Sequence, residues 1–174
     1  MLIFLIAPSA LIASPQAKAK PKPAPAKPKW DGDWTLSVAD SDVIKDRIAS
    51  FTQGMNLFQK TVWKKKLTNA CFSYQTLSVL SGMGFSFSFG KEVPINVDSN
   101  GTAGSWTRQE DEEKFQTSLK TLAPNSVSLV LTGEDYTLTD GIEIDGDTLT
   151  VHVTYSSPKI PQPFDYSQVY KRNE

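Results

Sequence analysis

From Leu149 to Tyr155 every second residue is apolar: Leu149, Val151, Val153 and Tyr155 alternate with Thr150, His152 and Thr154. Side chains of an extended strand point in turn to its two faces, so a period of two buries one face and wets the other. The chain then passes Pro158, Pro161 and Pro163, which cannot donate ladder hydrogen bonds and so bound the strands. It returns as a second strand from Phe164 to Arg172. A domain that ends in this way must bury one face of a sheet.

The same period recurs along the chain. Trp34, Leu36 and Val38 alternate with Asp33, Thr35 and Ser37 in an opening strand. A strand is expected from Phe72 and Tyr74 through Leu77 to Leu80, and Gly82 and Gly84 bracket Met83 in a turn. Phe85, Phe87 and Phe89 then share one face against Ser86 and Ser88. Val93, Ile95 and Val97 form a short strand whose Pro94 marks an edge or bulge, and Asp98-Ser-Asn-Gly101 is a turn. Strands over 103–108 and 114–122 flank the acidic turn Glu110–Glu113. Val127, Leu129 and Leu131 follow, then a strand over 136–144 with a bulge expected at Asp140-Gly141, and Asp145-Gly146 makes a hairpin turn.

One segment breaks this rhythm. Ile44, Ile48, Phe51, Met55, Phe58 and Val62 are spaced alternately by four and three, which puts all six on one helical face. Ser41 suits its N-cap and Asp42 its first turn, and Gly54 divides the segment into two helices. The stripe packs on the sheet, or the helix caps a barrel mouth and gates a ligand. The expected fold is mainly β: an antiparallel up-and-down β-barrel of 8–10 strands with a helical insertion after the first strand. Closure removes the raw edges of a meander and leaves an interior wide enough for side chains or one small ligand.

Three segments differ in composition: a signal-peptide-like leader over 1–19, a Lys/Pro/Ala linker over 20–29 and the barrel domain over 30–174. Residues 2–13 are apolar but shorter than the ~20 residues of a membrane-spanning helix, and small residues follow at Ala13, Ala17 and Ala19. No Lys or Arg precedes residue 18, a departure from the usual basic start of such leaders. The expectation is a periplasmic or secreted protein with no transmembrane span in its mature form. Lys18–Lys29 holds five lysines among prolines and alanines, an extended spacer able to make weak, salt-sensitive contact with an anionic surface. The domain beyond it carries all 19 acidic residues against 13 of the 18 basic ones, a net charge near −6, which argues against nucleic acid as a partner.

The residues with catalytic potential are few. His152 is the one histidine and lies on the polar face of its strand; no Gly-x-Ser-x-Gly elbow accompanies it, and a zinc site of several His or Cys ligands is ruled out by count. Cys71 is the one cysteine, so no intrachain disulfide forms, and a small buried thiol is expected. The Asp-Gly-Asp pieces at 31–33 and 145–147 read as turns rather than calcium loops. No cofactor, metal or catalytic residue is assigned. A hydrolase or isomerase built on paired carboxylates stays open as a third reading, since Asp and Glu are plentiful. Aromatic residues are the richest feature. Phe85, Phe87, Phe89, Trp106, Phe115, Tyr136 and Tyr155 line a lumen or fill it as a solid core, with Arg108 as the polar group that would orient a ligand.

Two stretches carry a family likeness. Gly32-Asp33-Trp34 on the first strand resembles the Gly-x-Trp opening of the lipocalins and the related fatty-acid-binding proteins, the calycin barrels. The ending Gln168-Val169-Tyr170-Lys171-Arg172 is similar to the last strand of the fatty-acid-binding group. This resemblance implies a helical segment after strand one. It also implies that Trp34 packs in the closed end of the barrel near Arg172 or Lys171, with Gly32 part of that closure. It further implies a paired Arg and Tyr for a ligand carboxylate, for which Arg108 and Tyr170 are the candidates. Trp106-Thr107-Arg108 and the run from Ser156 to Phe164 also resemble small uncharacterised exported bacterial proteins, which carries no mechanism. The implied function is non-catalytic binding of a small apolar or amphipathic molecule. The alternative is an envelope structural or interaction module with a filled barrel core and no ligand.

Overall fold

The computed structural model describes residues 29–98, 101–160 and 162–173. The leader over 1–19, the linker residues 20–28 and two residues of the Asp98–Gly101 turn lie outside them. Ten strands follow in order: β1 (Gly32–Leu36), β2 (Thr76–Ser81), β3 (Gly84–Phe89), β4 (Ile95–Asp98), β5 (Gly104–Thr107), β6 (Lys114–Ala123), β7 (Ser126–Thr132), β8 (Thr137–Asp145), β9 (Thr148–Ser156) and β10 (Phe164–Arg172). Two helices, α1 (Ile44–Phe51) and α2 (Leu57–Ala70), are inserted after β1. Each strand pairs antiparallel with its neighbour in an up-and-down meander, and β1 pairs with both β2 and β10 to join the ends. The result is a nearly closed antiparallel barrel, as the alternating sequence pattern implies.

The seam lies between β4 and β5, the two ends of the strand order. Both are only four residues long, so little unpaired edge is presented. Side chains span it instead of a ladder. The Trp106 indole donates to the Val93 carbonyl at 2.7 Å, and Gln109 N–H donates to Glu92 Oε2 at 2.6 Å.

Burial follows the two-residue period. On β9 the inward residues are Leu149, Val151, Val153 and Tyr155, and on β8 they are Leu138, Asp140, Ile142 and Ile144. The pairing of β8 with both neighbours runs in register through Gly141, opposite Ser128 and His152. The bulge expected at Asp140-Gly141 is therefore absent; the register shift falls between Thr121 and Ala123 on β6, where the tight turn into β7 follows. Phe72 and Tyr74 precede β2 rather than belonging to it, in the crossing from α2 to the barrel. Gly146, at φ 59°, provides the left-handed residue that the β8–β9 turn needs.

The helical insertion is two helices, divided over residues 52–56 around Gly54. Ser41 is not the cap: Val43 holds that position without a side-chain hydrogen bond, while Ser41 Oγ donates to Ser37 O and accepts from Val169 N–H. Asp42 accepts from Ser167 N–H, so both residues tie the chain to β10 instead. Ile48 is buried and Ile44, Phe51 and Met55 pack partly against the core. The stripe then changes face. Asn56 caps α2 by accepting from Gln59 N–H at 2.9 Å, and α2 buries Trp63, Leu67 and Ala70 while Leu57 and Phe58 face solvent. The break between the helices resets the phase, so a stripe counted through it fails after Met55.

At one end of the barrel Trp34 is fully buried and pairs in register with Arg172. The Arg172 guanidinium lies over the indole ring at 4.1 Å and donates to the Asp31 and Lys29 carbonyls at 2.7 and 2.5 Å. Gly32 adopts φ 152°, and a Cβ there would come within 2.5 Å of Arg172 Nη1. The glycine of Gly-x-Trp is thus the space that the arginine occupies. Trp30 completes this end, edge-on to Phe85 at 5.4 Å.

Candidate functional site

The other end lies beneath the end of α2. Here the barrel encloses a small void of about 40 Å³, bordered by Phe72, Tyr74, Phe89 and Trp106 and by the polar side chains of Arg108, Asp140, Tyr166 and Gln168. A wider depression, about 660 Å³, opens to solvent beside the β2–β3 turn around Met83 and Gly84. Among the described residues Asp98 is the one charged group that lines it, so the smaller inner void has more to offer chemically.

Arg108 follows β5 in phase with Trp106, which sends it inward, and it is 2 % exposed. Its Nε and Nη2 donate to the two oxygens of Asp111 at 2.9 and 2.6 Å, and Nη2 also reaches Glu113 Oε2 at 3.2 Å and Tyr136 Oη at 3.1 Å. Nη1 donates to the Ala70 carbonyl at 3.2 Å. Ala70 ends α2, which has no basic residue in its last turn, so a cation from another part of the chain caps the helix. The guanidinium also lies 4.5 Å from the Phe72 ring and 5.2 Å from that of Phe115. Burial opposes its charge, but the hydrogen bonds to Asp111 and Tyr136 outweigh that and raise its pKa. In return the hydrogen bonds from Arg108 hold Asp111 below the usual carboxylate range. Tyr136 donates to Glu113 Oε2 at 2.6 Å, and burial is the main cause of its raised pKa.

Asp140 is the opposite case. It is 6 % exposed, its ladder partners are the buried residues Leu129 and Val153, and its Oδ1 has no hydrogen-bond partner. Among the described residues no cation lies within ion-pair distance of it. Desolvation alone pushes its carboxyl up to about 7. The other polar groups nearby are matched. Tyr166 Oη and Gln168 Nε2 both donate to the Phe72 carbonyl, at 3.2 and 3.4 Å, and Tyr170 Oη donates to Gln168 Oε1 at 3.0 Å. Burial pushes the Cys71 thiol up to about 12 and raises the Tyr74, Tyr166 and Tyr170 phenols, so Asp140 is the member of this group that titrates near neutrality.

Of the lumen candidates read from the sequence, Phe89, Trp106 and Arg108 border the void. Beside Arg108, Phe115 meets Tyr136 edge-on at 5.9 Å between centroids, and Tyr136 stacks on Tyr155 at 4.8 Å. Phe85 and Phe87 stack on each other nearer the Trp30 end. Tyr170 is buried against Gln168, and Arg108 is committed to Asp111 and Glu113, so the two are not brought together as a pair. The sequence reading missed Asp140, Tyr166 and Gln168 as lumen residues. His152 lies on the outer face, 2.7 Å from Ser167 Oγ.

No protein-family model matches the chain, and neither does any curated protein. Solved structures do match. A SAHS protein from Ramazzottius varieornatus superposes with a TM-score of 0.54 at 12% identity, over 83% of this chain and 95% of that one. A Schistosoma mansoni fatty acid binding protein, solved with arachidonic acid, gives 0.52 at 14% identity over 83% and 96%. Human cRBP IV gives 0.51 at 15% identity over 82% and 97%. The fold is that of the calycin barrels. Within this fatty-acid-binding-protein-like barrel, the Trp34–Arg172 stack closes one end and the Arg108 cluster ties α2 across the other.

Proposed function

We propose that the protein is an exported, non-catalytic calycin barrel that binds one small apolar or amphipathic molecule in its lumen. The observation that carries this reading is the inner void, walled by aromatic rings and bordered by buried polar groups at the α2 end of the barrel. Apolar walls supply binding energy by removing ligand surface from water, at ~25 cal/mol per Å² before ordering costs, and a few polar groups fix orientation. Solved barrels of the same fold include one with arachidonic acid bound, which supports the reading at the level of architecture. Export is favoured by the apolar leader and the Lys/Pro spacer of the sequence, whose lysines would meet anionic surfaces weakly.

At about 40 Å³ the void admits a head group and not a chain, so a longer ligand enters by displacing side chains such as Phe72 between α2 and β2. The same volume favours the second reading, an envelope structural or interaction module with a filled core. Native mass spectrometry of the full chain purified from its host, followed by organic extraction, separates the two. A stoichiometric apolar molecule is the expected result. A clean apo mass, with no uptake of added apolar compounds, refutes the binding reading in favour of the filled module.

A further inference from the structure

We infer that the inner end of this site takes a ligand whose head group donates hydrogen bonds, an ammonium or a hydroxyl, and rejects a carboxylate; this assignment rests on the lumen being a binding site. Asp140 Oδ1 is a buried acceptor without a donor, and burying such a group unpaired is costly. An incoming donor removes that cost, and an ammonium also supplies the missing counter-charge. Desolvation that leaves the carboxyl near 7 is reversed by such a partner, so binding and ionisation of Asp140 support each other above neutrality.

A carboxylate meets the opposite field. Among the described residues Arg108 is the one cation bordering the void, and its guanidinium is already paired with Asp111 and Glu113. With Asp140 ionised, an entering anion meets its charge directly, while Asp111 and Glu113, outside the void, offset the charge of the guanidinium. The Tyr166 hydroxyl and one N–H of the Gln168 amide are engaged at the Phe72 carbonyl. The rings of Phe72, Tyr74 and Trp106 border the void, and an aromatic lining suits a cation better than an anion. The size of the void agrees: at about 40 Å³ it accommodates a compact head group.

The test compares decylamine, 1-decanol and decanoate, which share a chain length and differ at the head, each below its aggregation threshold at pH 8. Binding to the full chain and to Asp140→Asn is followed by amide shifts in two-dimensional NMR, with tryptophan fluorescence for the affinities. Decylamine is expected to bind roughly tenfold or more tighter than decanoate, and Asp140→Asn to erase that margin. Dispersed amide shifts that match the parent away from Asp140 report that the variant is folded. Decanoate binding as tightly as decylamine, or an unchanged amine preference in Asp140→Asn, overturns the assignment and leaves the binding function standing. Failure of all three compounds to bind refutes the binding function, and the head-group assignment with it.

Discussion

Asp140→Asn should stabilise the protein far more at pH 8 than at pH 5. The carboxyl is buried between Leu129 and Val153, and desolvation raises it from 3.8 to about 7. The folded chain therefore holds this proton more tightly than the unfolded chain. The stability associated with it is complete below about pH 4 and is lost as the pH rises through about 7. At 1.36 kcal/mol per unit the whole loss is roughly 4 kcal/mol, of which roughly 2–3 kcal/mol falls between pH 5 and pH 8. An amide at this position has the same shape and does not titrate. Urea unfolding followed by tryptophan fluorescence, on both proteins at both pH values, gives the difference of differences. That quantity cancels Asp31, Asp111 and Asp135, whose depressed carboxyls act in both proteins and in a lower window. The gap between variant and parent should widen by roughly 2–3 kcal/mol from pH 5 to pH 8. A gap that stays constant within about 0.5 kcal/mol refutes the reasoning, because it means the carboxyl is hydrated or paired in solution.

Four further outcomes are open to direct measurement. Arg172→Gln removes the guanidinium from the Trp34 ring and from two backbone carbonyls, and should lower unfolding free energy by about 2 kcal/mol in urea titrations. Arg108→Met leaves Asp111 and Glu113 facing each other and uncaps α2; a loss of about 3 kcal/mol is expected, with faster amide exchange in the last turn of the helix. Leu67→Ala should cost about 2–5 kcal/mol, whereas Phe58→Ser on the exposed side of the same helix should stay within about 0.5 kcal/mol, as thermal unfolding would record. Cys71, buried and with its thiol pushed up to about 12, should resist alkylation by iodoacetamide in the native protein and react once urea unfolds it.

Strand pattern made most of the barrel readable. The alternations in β1, β3, β7, β9 and β10 needed no knowledge of partners, because one wet face and one dry face suffice to impose the period. What escaped was settled by contacts distant in sequence. Ser41 looks like a cap, yet Val169 N–H on β10 claims its hydroxyl. Phe58 continues a helical count from Ile44, yet the break around Gly54 turns the second helix so that Trp63 and Leu67 face inward. The side chains that bridge the β4–β5 seam come from residues on both sides of it, and no local pattern marks them.

The polar centre of the lumen was nevertheless written in the same period. Arg108 is in phase with buried Trp106, Thr117 with Phe115, Asp140 with Leu138 and Ile142, and Gln168 with Tyr166 and Tyr170; all four polar members are buried. Reading Asp140-Gly141 as a bulge hid this, because a bulge resets the phase and sends the aspartate outward. A strand that keeps its alternation on both sides of such a dipeptide has no reset, and an acid at the in-phase position must then point inward. An inward carboxylate with no donor in reach costs stability that apolar packing at the same position would not. An unpaired aspartate in a strand that is otherwise apolar on that face is the observation from which the head-group assignment starts.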